Sequence, residues 1–143
     1  MTHYPVEELE NYEDDGTMPN NVAKLSEAVV GHKIVNVEWN VELTNVDRYW
    51  GAGYGTVITL DNGKKVELAD TDDCCASTEL ESLLLHPDKV DHVITGVGTT
   101  DKYNTWHIYA DAGDVLELSV SWSPGNPFYY GYGFNINVID NEE

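Results

Sequence analysis

From Val35 to Thr44 apolar and polar residues alternate without a break: Val35, Val37, Trp39, Val41 and Leu43 against Asn36, Glu38, Asn40, Glu42 and Thr44. Period two is the period of a β-strand with one oily and one wet face, and a helix cannot satisfy it. A chain with this stretch must build a sheet. The segment "GTVITLDNGKKVELAD" (55–70) continues it as two strands around Asn62-Gly63, a pair that readily supplies the positive φ angles of a hairpin turn. Further strands are expected over His92–Gly98, Thr105–Ala110, Val115–Trp122 and Phe134–Ile139, with "ADAGD" (110–114) joining the middle two.

Two helices are expected beside them. In "PNNVAKLSEAVVGH", Asn20 or Asn21 can cap the free N–H groups, Val22, Leu25 and Val29 share a face, and Gly31 sits where a left-handed C-cap belongs. In "ADTDDCCASTELESLLLHP" (69–87), Thr78 and Glu81 match a capping box. Leu80, Leu83 and Leu84 form the stripe to be buried, and Pro87 ends the helix. Seven strands and two short helices predict an α+β fold, a single domain on a largely antiparallel, twisted sheet. A chain of 143 residues fits one such domain over residues 20–143. Residues 1–19, with Glu7, Glu8, Glu10, Glu13, Asp14 and Asp15 and little apolar content, read as a flexible acidic arm.

Charge limits the partners. Seven Lys and Arg against 26 Asp and Glu give −19, which disfavours direct binding to nucleic acid or to anionic membranes. Acidity of this size either keeps a protein soluble or complements a basic partner. No apolar run approaches the roughly 20 residues of a membrane-spanning helix, and the first residues lack the pattern of a signal peptide. Cys74 and Cys75 are adjacent and have no third cysteine to pair with, which suits a reducing compartment. A cytoplasmic protein is expected.

The candidates for chemistry are few. At a helix start, Cys74 would gain thiolate character from the dipole, while the neighbouring carboxylates oppose it. Zinc could draw on Cys74 or Cys75 with His92 or His107, and calcium on the oxygens of Asp70, Asp72 and Asp73. "DTDDCC" lacks both the paired-cysteine spacing of zinc modules and the glycine turn of an EF-hand. Asp70, Asp72, Asp73, Cys74, His92 and His107 are therefore the candidate metal or catalytic set. If Trp106 faces the core, His107 lies on the outer face, near Asp111 or Asp101. Two aromatic, glycine-rich segments offer recognition surface instead: "DRYWGAGYGT" with Arg48, Tyr49, Trp50 and Tyr54, and "SPGNPFYYGYGF" with Phe128, Tyr129, Tyr130 and Tyr132. Tyr and Trp give large contact area with a polar tip.

The blocks "VGHKIVNVEW", "GTVITLDNGKKVELADTDDCC", "HPDKVDHVITGVGTTD", "TWHIYADAGDVLELSV" and "NPFYYGYGFNINV" resemble a family of small uncharacterised proteins encoded by phages of actinobacteria. The resemblance covers roughly Leu25 to Asp140 and implies no activity and no catalytic residues. It implies context, a phage product acting inside a bacterial host. The expected function is a non-enzymatic acidic binding protein for a basic host or phage macromolecule, with a DNA-mimic inhibitor as one form. Two rivals stand beside it: a small metal- or cysteine-dependent enzyme centred on Asp70 to Cys75 with His92 and His107, and a self-assembling structural protein with aromatics at a homo-oligomer interface.

Overall fold

The computed structural model describes residues 17–42, 51–72, 77–123 and 134–139. These described residues are mostly β: one helix, α1 (Thr17–Val29), a 3-10 turn (Pro87–Lys89), and eight strands. The strands are β1 (Ile34–Glu42), β2 (Gly51–Leu60), β3 (Lys65–Asp72), β4 (Ser77–Leu85), β5 (Ile94–Thr100), β6 (Thr105–Ala110), β7 (Gly113–Ser123) and β8 (Asn135–Ile139). All neighbours are antiparallel. This corrects the α+β expectation of two helices on seven strands. The additional strand, β4, is the segment expected to be the second helix.

That segment, "STELESLLL", pairs with β7 along its length. A helix would have buried Leu80, Leu83 and Leu84 together, yet Leu84 is 55% exposed. Between Leu80 and Ser82 the strand advances two residues while β7 advances one, from Val120 to Ser119. This bulge reverses the parity of the strand. Thr78 and Leu80 point inward before it, and Leu83 and Leu85 pack on the core after it. A period-two strand with one bulge thus imitates helical spacing. Without a helix here, the dipole invoked for Cys74 is also lost; Cys74 itself lies outside the described residues.

The strands form two antiparallel halves, β1-β2-β3-β8 and β4-β7-β6-β5. Among the described residues the halves are stitched by the β3–β4 pairs Thr71–Thr78 and Asp72–Ser77. The same edge of β3 carries β8 further back, from Lys65 to Ala69. One core joins both halves: Ile58, Leu60, Val66, Leu68 and Ile136 from the first, and Leu80, Ile94, Trp106, Ile108, Leu116 and Leu118 from the second. The Trp106 and Phe134 rings meet edge to face across it, with centroids 5.3 Å apart at 84°.

Helix α1 closes this core by Leu25 and Val29, both fully buried. Gly31 follows at φ +90°, and its N–H donates to the Ile94 carbonyl at 2.9 Å. A left-handed glycine here ends the helix and turns the chain onto β5. Asn21, expected to cap the helix, lies inside it and instead holds the backbone of Phe134, donating at 2.8 Å and accepting at 2.9 Å. At the β2–β3 hairpin Gly63 alone takes a positive φ, +87°, while Asn62 Oδ1 accepts from the Lys64 N–H.

Strand β1 keeps less of its alternation than expected. Register shifts fall between Ile34 and Asn36 and between Glu38 and Val41. Ile34 is buried and Val37 packs on the core, but Val35 is 64% and Trp39 47% exposed. The β5–β6 turn is unusual in another way: Asp101, Lys102 and Tyr103 all have positive φ, at 59°, 53° and 65°. Each such residue costs on the order of 1 kcal/mol. The turn is held by indoles, Trp106 donating to the Tyr103 carbonyl at 2.8 Å and Trp122 to the Lys102 carbonyl at 3.0 Å.

Candidate functional site

Strand β6 is central in its half, and its residues are buried on both faces from Trp106 to Ala110. Trp106 and Ile108 face the shared core, so His107 and Tyr109 face the other side of the sheet. The opposing residues on β5 are glycines, Gly98 beside His107 and Gly96 beside Tyr109. At Gly96 even a Cβ would collide with the Tyr109 hydroxyl, so the ring lies directly over the glycine. These glycines leave room for large polar side chains to lie flat against the sheet.

His107 is held at both ring nitrogens. Nδ1 is 2.9 Å from Asp114 Oδ2 and Nε2 is 2.8 Å from Thr100 Oγ1. With Nδ1–H donating to the carboxylate, the neutral ring accepts the Thr100 hydroxyl proton on Nε2. Glu117, the cross-strand partner of His107, brings a second carboxylate, and His86 Nε2 lies 2.7 Å from its Oε2. One ligand atom from each of His107, Asp114 and Glu117 lies within 4.8 Å of the others. The hairpin makes this possible through a bulge: Tyr109 pairs with Asp114, but Ile108 pairs with Leu116, which brings Glu117 opposite His107. Asp114 and Glu117 thereby reach one face although they are three residues apart.

Chemically the cluster can do two things. The order hydroxyl, imidazole, carboxylate in Thr100, His107 and Asp114 is that of a proton relay. Glu117 and His86 exceed what a relay uses and supply further metal-type donors.

The sequence-based candidates are spread over the fold. His107 takes part in this cluster, with Asp114 as its partner in place of the expected Asp111 or Asp101. His92 lies 3.4 Å from Asp111 in a largely exposed pair. Asp70 is on β3 and accepts the Leu80 N–H at 3.2 Å. Burial pushes its carboxyl up to about 6, against the opposing effect of that hydrogen bond, with the Glu79 charge adding to the rise. Asp73 and Cys74 lie outside the described residues, as does the side chain of Asp72. Of the aromatic candidates Tyr54 is described and is 48% exposed, next to Trp39 in exposure; Arg48, Tyr49, Trp50, Phe128, Tyr129, Tyr130 and Tyr132 lie outside the described residues.

Surface charge is uneven. Lys24 and Lys64 line a groove with Glu27, His32 and Val138 where α1 meets the β2–β3 hairpin, and Lys33 and Lys65 flank the same elements. The β4-β7-β6-β5 half exposes Glu79, Glu81, Asp88, Asp91, Asp101 and Asp111 against Lys89 and Lys102. No helix among the described residues is long and apolar enough to cross a membrane.

No curated protein and no solved structure matches the chain. A family model, Domain of unknown function (DUF7448), matches residues 27–136. That span runs from the second half of α1 into β8 and takes in both halves of the sheet with the His107 cluster. The chain belongs to the DUF7448 family.

Proposed function

We propose that the protein is a non-enzymatic binding protein that engages a basic macromolecule, a host or phage protein, through its carboxylates. The observation that carries this reading is the acid-rich surface of the β4-β7-β6-β5 half in a chain of net charge −19. Such a field raises the encounter rate with a basic partner and rejects polyanions. Tyr54 and Trp39, both about half exposed, offer the apolar anchors that long-range charge cannot supply. A DNA-mimic inhibitor is the form of this activity in which carboxylates stand in for phosphates. The resemblance noted above supports a phage accessory protein acting in the cytoplasm of a bacterial host.

The test is capture from a bacterial lysate on immobilised protein, washed from about 50 mM to about 300 mM salt. A basic protein released as salt rises, and lost when Trp39 and Tyr54 are replaced by Ser, supports the reading. Retention at high salt that ignores both substitutions overturns it.

A further inference from the structure

The geometry points to a divalent transition-metal site, of the zinc class, formed by His107, Asp114, Glu117 and His86 on the outer face of β6 and β7. This set shares only His107 with the residues the sequence suggested, and it lies in the same half of the sheet as the acidic surface without using the exposed carboxylates named there.

The donor chemistry fits. Two imidazoles and two carboxylates are ligands that zinc accepts in four-coordinate sites. Bonds of about 2.0–2.1 Å place tetrahedral ligands about 3.3 Å apart. The three atoms from His107, Asp114 and Glu117 already lie within 4.8 Å of one another, and His86 Nε2 touches Glu117 at 2.7 Å. His86 lies outside that three-residue set, so its coordination requires the half-buried Glu117 and His86 side chains to change rotamer on loading.

The surroundings are those of a built ligand. His107 is 8% exposed and its ring orientation is set from Nε2 by Thr100 Oγ1. A metal-bound histidine characteristically donates its other N–H to such a partner. On loading, the metal takes Nδ1 from Asp114, the ring proton moves to Nε2, and Thr100 Oγ1 accepts it. Starting from the Nδ1–H tautomer, the ring carries one proton before and after, so this step releases none. A proton relay uses Thr100, His107 and Asp114, while Glu117 and His86 pair with each other beside it at 2.7 Å; coordination would draw all of these groups onto one ion.

The experiment uses untagged, chelator-stripped full-length protein with Cys74→Ser and Cys75→Ser, so that thiols cannot take the metal. Zinc chloride is titrated calorimetrically, and imidazole nitrogen shifts are followed by NMR. One zinc per chain, weakened at least about tenfold by Glu117→Gln and by Asp114→Asn but not by Asp111→Asn, is the expected result. The His107 Nδ1 resonance moves to a metal-bound position while Nε2 becomes protonated. Absence of stoichiometric uptake, uptake indifferent to both cluster substitutions, or a His107 ring unchanged by zinc overturns the assignment. Circular dichroism of each isosteric variant separates lost binding from lost fold.

Discussion

The side-chain amide of Asn21 forms two hydrogen bonds with the backbone of Phe134, one in each direction, at 2.8 and 2.9 Å. A side chain on α1 thus completes the start of β8 as a neighbouring strand would. Asn21→Ala leaves a part-buried N–H and C=O without partners, and the expected loss is about 2 kcal/mol in urea unfolding. Asn21→Asp keeps the acceptor but loses the donor, and should cost less at acid pH, where the carboxyl can donate. Equal stability of Asn21→Ala and wild type would sink the idea.

Asp70 gives the pH dependence a definite sign. Its folded-state carboxyl, at about 6, lies above its ordinary value of 3.8. The folded state therefore binds the proton more tightly, so this contribution is full below about pH 4 and is lost as pH rises to about 6. Partial solvent screening brings the expected loss to about 1–2 kcal/mol. Asp70→Asn retains an acceptor for the Leu80 N–H, so it should stabilise the protein at pH 7 and flatten the curve of melting temperature between pH 4 and 6. A variant less stable than wild type at pH 7 counts against the assignment.

Thr56 Oγ1 and Thr78 Oγ1 are fully buried and have no hydrogen-bond partner among the described residues. Replacing each by the near-isosteric Val removes the desolvated hydroxyl and keeps the branched shape. Thr56→Val and Thr78→Val should each raise stability by about 1 kcal/mol. A fall in the denaturation midpoint for both would show that these hydroxyls have partners.

Gly96 is where a single methyl should be felt most. The added Cβ would enter the Tyr109 hydroxyl, and Tyr109 is itself buried. Gly96→Ala should cost about 1–3 kcal/mol by overpacking. The double variant Gly96→Ala, Tyr109→Phe should recover part of that loss in the same unfolding assay. No recovery would mean that the Tyr109 ring itself, whose Cζ would lie 2.7 Å from the new Cβ, sets the clash.

The hairpin at Asn62-Gly63, the buried face of α1 and the breaks at glycine were legible because each depends on local chemistry. What was illegible depends on pairing. Leu80, Leu83 and Leu84 read as a helical stripe, since a bulge that reverses strand parity leaves the same spacing in a sequence as a turn of helix. Trp39 read as core because unbroken alternation was assumed, whereas the register shift between Glu38 and Val41 leaves it 47% exposed, with its indole N–H directed at the Leu80 carbonyl. Around His107 the turn at Ala110–Gly113 was visible, and an unbulged ladder would have set Leu116 opposite the histidine. Only the extra residue at Val115 brings Glu117 there. Asp114, Glu117 and His86 thus carried no sequence signal stronger than that of ordinary surface residues.

The edge of β3 that receives β8 is open from Lys65 to Ala69 until residues 135–139 have been made. On the ribosome, β2 and β3 can close their hairpin early, with Val66 and Leu68 facing an unfinished core. Through the synthesis of β4 to β7 the nascent chain therefore presents an unpaired strand beside an apolar surface, a template for pairing with other chains. Pairing of β8 with β3 is the step that removes this exposed edge.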